Sequence, residues 1–169
     1  MRIGQGIDVH PFAGDPHRPL VLGGVVVEGA RGLAGHSDAD AVAHAIADAL
    51  LGAAGLGDLG RHFPDDDAAW AGADSVALLV EVVRRVADAG FRPVNVDCTI
   101  VAEAPRLAPY TDEMAGRLGR AVGAPVSVKA TRAEGLGALG RAEGIGCLAV
   151  ALVDDVALAD DAALAGAPT

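Results

Sequence analysis

Strand-type and helix-type segments alternate along this chain, and the alternation restricts which folds its 169 residues can adopt. Such alternation is typical of a single sheet covered by helices, so we predict an α/β fold. The segment at 144–153, "GIGCLAVALV", is apolar throughout. It should be a central strand of the sheet, because central strands are buried on both faces.

Periodicity, turn residues and capping residues indicate the individual elements. Period-two alternation and apolar runs predict strands at 2–10, 92–104, 124–131 and 144–153. Gly23-Gly24 predicts the turn of a hairpin at 18–29, and the segment 56–73 predicts a long surface loop. Helices are expected at 36–55, capped by Ser37 or Asp38, at 74–90, and at 110–123, capped by Thr111. The apolar face of the second helix should carry Val76, Leu79, Val80 and Val83.

A chain of this length is expected to form one domain whose core needs neither a disulfide nor a metal for stability. We predict this domain at 1–153 and an Asp/Ala-rich tail at 154–169. Only 3% of the residues are aromatic, so Ala, Val, Leu and Ile must build the core. Cys98 and Cys147 lie in separate apolar runs and are expected to be buried, inert thiols.

The formal net charge of -10 argues against a nucleic-acid or membrane-surface protein, because such proteins need a basic face. A small anionic ligand remains compatible with this charge if metal ions, helix N-termini or a few arginines neutralise its phosphates. The sequence suggests neither a targeting peptide nor an apolar run long enough to span a membrane. We therefore expect a soluble cytoplasmic protein.

The motif "GIDVH" puts Asp8 and His10 on one face of the first strand, because side chains alternate along a strand. A carboxylate and an imidazole that reach one point can bind Zn²⁺, and His44 in the first helix is a candidate third ligand. Alternatively, Asp8 and His10 simply hydrogen-bond to each other. His44 can likewise be an ion-paired surface residue, since Asp40 and Asp48 lie four residues before and after it. Asp48 can also orient a metal-bound His44.

Three further segments carry polar residues that suit either a structural or a ligand-binding role. His36 and Ser37 precede the first helix, where Ser37 can cap the helix and where the helix N-terminus can bind phosphate. The acidic segment "HFPDDD" is either solvated surface or, with Asp58, a site for ligand hydroxyls or a divalent ion. Glu134 and Arg141 flank a Gly-rich segment that is either a flexible connection or a phosphate cradle.

In combination these segments resemble the 2-C-methyl-D-erythritol 2,4-cyclodiphosphate synthase family of the non-mevalonate isoprenoid pathway. The resemblance covers residues 2 to about 153 and rests on the order and spacing of "GIDVHPF", "LGG", "GHSDADAVAHAIADALLGAAGLGDLG", "FPDDD", "GADS", "NVDCTIVAEAPRL", "VKAT" and "EGLGALGRAEGIG". It implies an α+β sandwich with a mixed sheet. It also implies a homotrimer, with the sheets around a three-fold axis and the active sites between subunits.

The resemblance implies a phosphorus-oxygen lyase that acts on a cytidine diphosphate compound, 4-diphosphocytidyl-2-C-methyl-D-erythritol 2-phosphate. The 2-phosphate attacks the β-phosphorus, which closes the cyclic diphosphate and releases CMP. Because the substrate carries its own nucleophile, catalysis reduces to positioning and charge neutralisation.

The resemblance also assigns roles residue by residue. Asp8, His10 and His44 become the ligands of one Zn²⁺ per subunit, and Glu134 becomes a ligand of Mg²⁺ or Mn²⁺ at the substrate phosphates. Asp8, His10 and His36 contact substrate, and His36 also stabilises the transition state. The methylerythritol part is assigned to Asp58, Leu59, Gly60, Phe63, Pro64, Asp65 and Asp67. Further substrate-binding residues are Ser37, Asp48, Thr131, Ala133 and Arg141, the last of which lies near the trimer axis. The cytidine is assigned to Ala102, Pro105, Arg106, Leu107 and Ala108.

Three positions depart from the family pattern. Arg132 occupies the position of the catalytic threonine, and we predict that it takes part in catalysis. Ala138 replaces an aromatic residue near the trimer axis, so an isoprenoid diphosphate should bind only weakly in the central channel beside Arg141. Arg106 replaces a lysine, which is a mild change. Two other functions stay open: a zinc hydrolase, and a non-catalytic trimer that binds isoprenoid diphosphates.

Overall fold

The computed structural model describes residues 1–64, 70 and 72–156. The strands are β1 (Arg2–Pro11), β2 (Pro19–Leu22), β3 (Val25–Arg31), β4 (Phe91–Val101), β5 (Val126–Thr131) and β6 (Gly144–Asp155). The helices are α1 (Ala41–Ala54), α2 (Leu59–His62), α3 (Ser75–Asp88), α4 (Thr111–Val122) and α5 (Gly137–Gly140). Of the helices within these ranges, none is long and apolar enough to cross a membrane.

Four strands form one mixed sheet in the order β1-β6-β4-β5. The strand β6 pairs antiparallel with both β1 and β4, whereas β5 pairs parallel with β4. The expectation of a central last strand is therefore confirmed, and so is that of a mixed sheet with helices, which pack against one face of it. The strands β2 and β3 form a separate hairpin, whose turn at Gly23 and Gly24 has positive φ at both residues.

Two glycines in β1 let α1 lie unusually close to the sheet. A Cβ atom on Gly4 would stand 2.0 Å from the carbonyl oxygen of Ala49, and one on Gly6 would stand 2.0 Å from that of Ala45. Because α1 presents alanines to this strand, the backbones of the helix and the strand are in direct contact. The helix therefore lies above the end of β1 that carries Asp8 and His10. This contact fixes the distance between the strand and His44.

The opposite face of β1 and β6 carries apolar side chains that are exposed in the described part of the chain, although Leu139 of α5 approaches this face at Gly146. Ile3 is 74% exposed, Ile7 is 55% exposed and Val9 is 58% exposed, and Leu148 and Val150 continue this apolar surface on β6. We call these five residues the bare face. Alternation along β1 therefore separates the bare face from Asp8 and His10, as the sequence predicts.

The start of α1 differs from the prediction. The helix begins at Ala41, and its cap is Asp40 rather than Ser37 or Asp38. The fully buried Asp40 carboxylate accepts hydrogen bonds from the N–H groups of Val42 and Ala43 and also from those of the hairpin turn. One carboxylate thus joins the helix to the hairpin, a long-range contact that local capping patterns do not reveal.

Other boundaries also shift. The Thr111 hydroxyl donates to the carbonyl of Ala108 instead of capping α4, which has no side-chain cap. The strand β4 ends at Val101, and β6 continues two residues beyond the predicted end, to Asp155. The predicted loop contains the short helix α2, capped by Asp58. In α3 the buried stripe is Leu78, Leu79, Val82 and Val86, so only Leu79 of the predicted face is fully buried.

Candidate metal and substrate site

Asp8, His10 and His44 converge on one point between β1 and α1. One carboxylate oxygen of Asp8, Oδ2, lies 2.8 Å from Nδ1 of His10 and 3.3 Å from Nδ1 of His44. The three potential ligand atoms all lie within 4.8 Å of one another. The structure therefore brings together the three residues that the sequence suggested as metal ligands, and the close approach of α1 at Gly6 makes this possible.

The donor set fits a divalent metal ion. Nδ1 of His10 is buried and makes no hydrogen bond with any residue that the structure describes, although Asp8 is near. Asp8, 2.8 Å away, is its close polar neighbour, and a metal ion held between the two groups would use the lone pair of this nitrogen. One carboxylate oxygen and two imidazole nitrogens are a ligand set typical of metal sites that keep a fourth position open.

The charges of the three groups are coupled. Burial of Asp8 opposes its ionisation, but the nearby His10 and His44 outweigh this effect and lower the pKa of Asp8. Burial of His44 opposes its protonation, but the hydrogen bond with Asp8 and the negative charge of Asp8 outweigh it and raise the pKa of His44. The site therefore holds a carboxylate anion ready for a cation, and protons compete for the same place.

The second ring nitrogen of His44 faces two serines. Its Nε2 lies 2.9 Å from Oγ of Ser75 and 3.3 Å from Oγ of Ser37. Asp48, which the sequence suggested as the orienting partner, instead accepts a hydrogen bond from the N–H of Leu59 at 2.7 Å. The ion pair of His44 with Asp40 is also not formed, because Asp40 is occupied as the helix cap.

A pocket of about 470 Å³ opens beside the three candidate ligands. Besides Asp8 and His10, six of the residues predicted to bind substrate line it together: His36, Ser37, Asp48, Leu59, Gly60 and Phe63. Asp58 caps α2 at the edge of this region, and Pro64 is exposed. Asp65 and Asp67 lie outside the described residues.

Trp70 is a pocket residue that the sequence reading missed. Its ring meets Phe63 edge to face at 5.0 Å, and the guanidinium of Arg85 lies 4.9 Å from the centre of the Phe63 ring. The only signal for it was the rarity of aromatic residues, since this is the sole tryptophan in the chain. The contacts of Phe63 with Trp70 and Arg85 connect the pocket wall to α3.

A second pocket, of about 400 Å³, lies at the ends of the parallel strands β4 and β5. Parallel strands bring their carboxyl ends to one edge of the sheet. The segment after β4 supplies the five residues predicted at the cytidine, Ala102, Pro105, Arg106, Leu107 and Ala108, and β5 contributes Thr131 and the adjoining Arg132. The sequence prediction of one cluster at 102–108 agrees with this geometry.

Among the residues that the structure describes, the two pockets share no lining residue. Glu134, Ala133 and Arg141 line neither pocket. The exposed side chain of Arg141 forms an ion pair with Glu143 at 2.7 Å. Within the described part of one chain, the structure brings neither Glu134 into the group of candidate ligands nor Arg141 into either of these two pockets.

Comparison with known proteins gives concordant results at the levels of family, relatives and structure. The sequence model of the YgbB family matches residues 1–154. A 2-C-methyl-D-erythritol 2,4-cyclodiphosphate synthase from Salinibacter ruber is 57% identical over 156 residues, which cover 90% of this chain and 98% of that protein.

Two solved structures are similar in fold and sequence. The bifunctional IspDF from Campylobacter jejuni is 37% identical with a TM-score of 0.86, covering 92% of this chain and 43% of that longer chain. The IspF of Plasmodium falciparum in complex with CDP is 29% identical with a TM-score of 0.77, covering 91% and 96% of the two chains. The chain belongs to the YgbB family, as its resemblance to the cyclodiphosphate synthases implied.

Proposed function

We propose that this chain converts 4-diphosphocytidyl-2-C-methyl-D-erythritol 2-phosphate into 2-C-methyl-D-erythritol 2,4-cyclodiphosphate and CMP, in the biosynthesis of isoprenoid precursors. The convergence of Asp8, His10 and His44 beside a pocket carries the proposal. Membership of the YgbB family and identity to named synthases support it.

The reaction needs no nucleophile from the protein. An oxygen of the 2-phosphate forms a bond to the β-phosphorus, and the bond from that phosphorus to the bridging oxygen breaks, so CMP leaves with the bridging oxygen. Holding the two phosphates together in the right geometry can contribute roughly 7–11 kcal/mol in a favourable intramolecular case. The chain then has to position the substrate and offset its negative charge.

Zinc bound by Asp8, His10 and His44 would supply positive charge against the phosphate oxygens. A chain with a net charge of -10 needs such help to hold a diphosphate. We further propose that Glu134 helps to hold Mg²⁺ or Mn²⁺ at the diphosphate. The exposed position of Glu134 suits a site that a second subunit completes.

The two pockets suit the two ends of the substrate. In the first, His36 and Ser37 are proposed to contact phosphate, with His36 stabilising the transition state. The methylerythritol would contact Asp48, Asp58, Leu59, Gly60, Phe63, Pro64, Asp65 and Asp67. The second pocket would take the cytidine, and the CDP complex of the Plasmodium falciparum relative supports a nucleotide ligand. Thr131, Ala133 and Arg132 would lie near the diphosphate that joins both ends.

We propose a homotrimer whose subunits meet through the bare face. Ile3, Ile7 and Val9 are largely exposed on one strand, and exposed apolar surface of this kind marks interaction sites. The two pockets of one chain share no described lining residue, and we propose that an active site combines the first pocket of one subunit with the second pocket of its neighbour. In this assembly Arg141 would lie near a central channel, where Ala138 leaves little apolar contact for an isoprenoid diphosphate. A cytoplasmic location stays a prediction.

Metal analysis and product analysis test the function together. We expect about one zinc per chain, lost in His10→Ala and in His44→Ala while circular dichroism shows an intact fold. With zinc and Mg²⁺ or Mn²⁺, the wild type should release CMP from the substrate. A hydrolase would release CMP with a linear product, and a non-catalytic binding protein would release none. Full zinc occupancy in both variants would refute the metal assignment.

A further inference from the structure

Ser75 is a buried polar residue that no role described so far explains. It is the first residue of α3, and its exposure is only 1%. Its hydroxyl donates a hydrogen bond to Oδ1 of Asp38, and its Oγ lies 2.9 Å from Nε2 of His44. A buried hydroxyl between a carboxylate and an imidazole joins α3 to the candidate metal ligand on α1.

Asp38 is itself held in place by the backbone. Its Oδ2 accepts the N–H of Ser75 at 3.2 Å, and its Oδ1 accepts the N–H of Asp40 at 3.2 Å. The Ser75 hydroxyl has a single proton, and it donates this proton to Asp38. The Ser75 oxygen can then only accept a hydrogen bond from His44.

This direction of donation sets the tautomer of His44. If Ser75 accepts, then Nε2 of His44 carries a proton, so the lone pair that a metal would use is that of Nδ1, in place of the proton that Asp8 accepts in the metal-free chain. Nδ1 is the atom that lies 3.3 Å from Asp8, at the point where the candidate ligands meet. The hydroxyl of Ser37, 3.3 Å from Nε2, is a longer contact and also accepts the N–H of Ala39.

We propose that Ser75 is a positioning residue that, with Asp38, fixes the tautomer and ring orientation of His44 for metal binding. The proposal rests on the proposed function, because it takes Asp8, His10 and His44 as the metal ligands. Partners of metal-bound histidines typically contribute 10- to 100-fold to metal affinity. Ser75 therefore belongs to the function of the site rather than only to the start of α3.

Zinc affinity of the full chain, measured by competition with a chromophoric chelator, tests the proposal. We expect Ser75→Ala to lower the affinity about 10- to 100-fold and Ser75→Thr, which keeps the hydroxyl, to restore most of it. Ser127→Ala is the matched control, because Ser127 is an exposed serine on β5, and it should bind zinc like the wild type.

Nuclear magnetic resonance of the zinc-loaded, ¹⁵N-histidine-labelled chain gives a readout that a purely structural role would not change. The wild type should show a protected Nε2 proton on His44, and Ser75→Ala should lose that protection. Should Ser75→Ala fail to fold, Asp38→Asn replaces it, because it keeps the side-chain shape and removes the charge that orients the hydroxyl. We then expect zinc affinity to fall several-fold in Asp38→Asn.

The outcomes separate this inference from the function beneath it. If the wild type binds no zinc, or if His44→Ala binds zinc as well as the wild type does, the metal assignment fails and the inference fails with it. If the wild type binds zinc through His44, but Ser75→Ala, or Asp38→Asn in its place, retains both the affinity and the protected proton, only the inference is overturned.

Discussion

At the scale of single residues, the raised pKa of His44 predicts how zinc binding depends on pH. Zinc must displace a proton that the folded chain binds more tightly than free histidine does, because Asp8 stabilises the charged ring. As the pH is lowered, zinc affinity should therefore begin to fall before the pH reaches ~6.5, the ordinary pKa of histidine. Below the raised pKa of His44, the affinity should fall by about tenfold per pH unit. Chelator competition between pH 5 and 8 measures this, and a flat profile would count against His44 as a ligand.

The raised pKa of His44 has the opposite effect on the stability of the metal-free protein from its effect on zinc affinity. A raised folded-state pKa contributes stability below the ordinary pKa of histidine, and this stability is lost as the pH rises through the folded value. Metal-free chain should accordingly gain stability towards mildly acidic pH in the range where zinc affinity falls. Urea unfolding of the metal-free wild type and of His44→Ala separates the two effects.

Arg132 is the residue whose chemistry departs most from the family pattern. It lies in the second pocket beside Thr131, and its guanidinium can donate two parallel hydrogen bonds to phosphate oxygens. We predict that Arg132→Ala lowers kcat well below wild type and that Arg132→Thr recovers part of it. Steady-state CMP release measures both, with zinc content and assembly as controls. Wild-type turnover by Arg132→Ala would remove Arg132 from the mechanism.

At the scale of elements, the approach of α1 to β1 decides whether the site exists. A Cβ on Gly6 would overlap the carbonyl of Ala45, so Gly6→Ala should push α1 away and destabilise the fold by about 1–3 kcal/mol. Zinc affinity should fall with it, because His44 moves with the helix. Gly14→Ala is the matched control, since no atom lies within 4 Å of its added Cβ. Equal zinc affinity in Gly6→Ala and wild type would contradict this account.

The elements also show how far local sequence patterns reach. Strand alternation was enough to place Asp8 and His10 on one face, and an unbroken apolar run was enough to identify β6 as central. The predicted cap of α1 is wrong. The Asp40 carboxylate caps the helix and also accepts hydrogen bonds from the hairpin turn, which is remote in sequence. Ser75 was missed for the same reason, since its partner His44 lies 31 residues away. Contacts between distant segments leave no periodic signal in a single sequence.

At the scale of the whole molecule, the bare face predicts that subunits associate. In Ile7→Glu a charged side chain would be buried at the proposed interface, which is costly without a partner. Light scattering should give a trimer for the wild type and a monomer for Ile7→Glu, which should also lose activity while it retains zinc. Val26→Glu is the control, because Val26 is similarly exposed on the separate hairpin. An active monomer would exclude a site shared between subunits.

The most direct measurement is ³¹P nuclear magnetic resonance of the products that the zinc-loaded wild type forms from 4-diphosphocytidyl-2-C-methyl-D-erythritol 2-phosphate with Mg²⁺. Our account predicts CMP and 2-C-methyl-D-erythritol 2,4-cyclodiphosphate in equal amounts, with the two cyclic phosphorus signals coupled to each other. CMP accompanied by a linear phosphorylated methylerythritol, or unchanged substrate with a trimer that contains zinc, would contradict it.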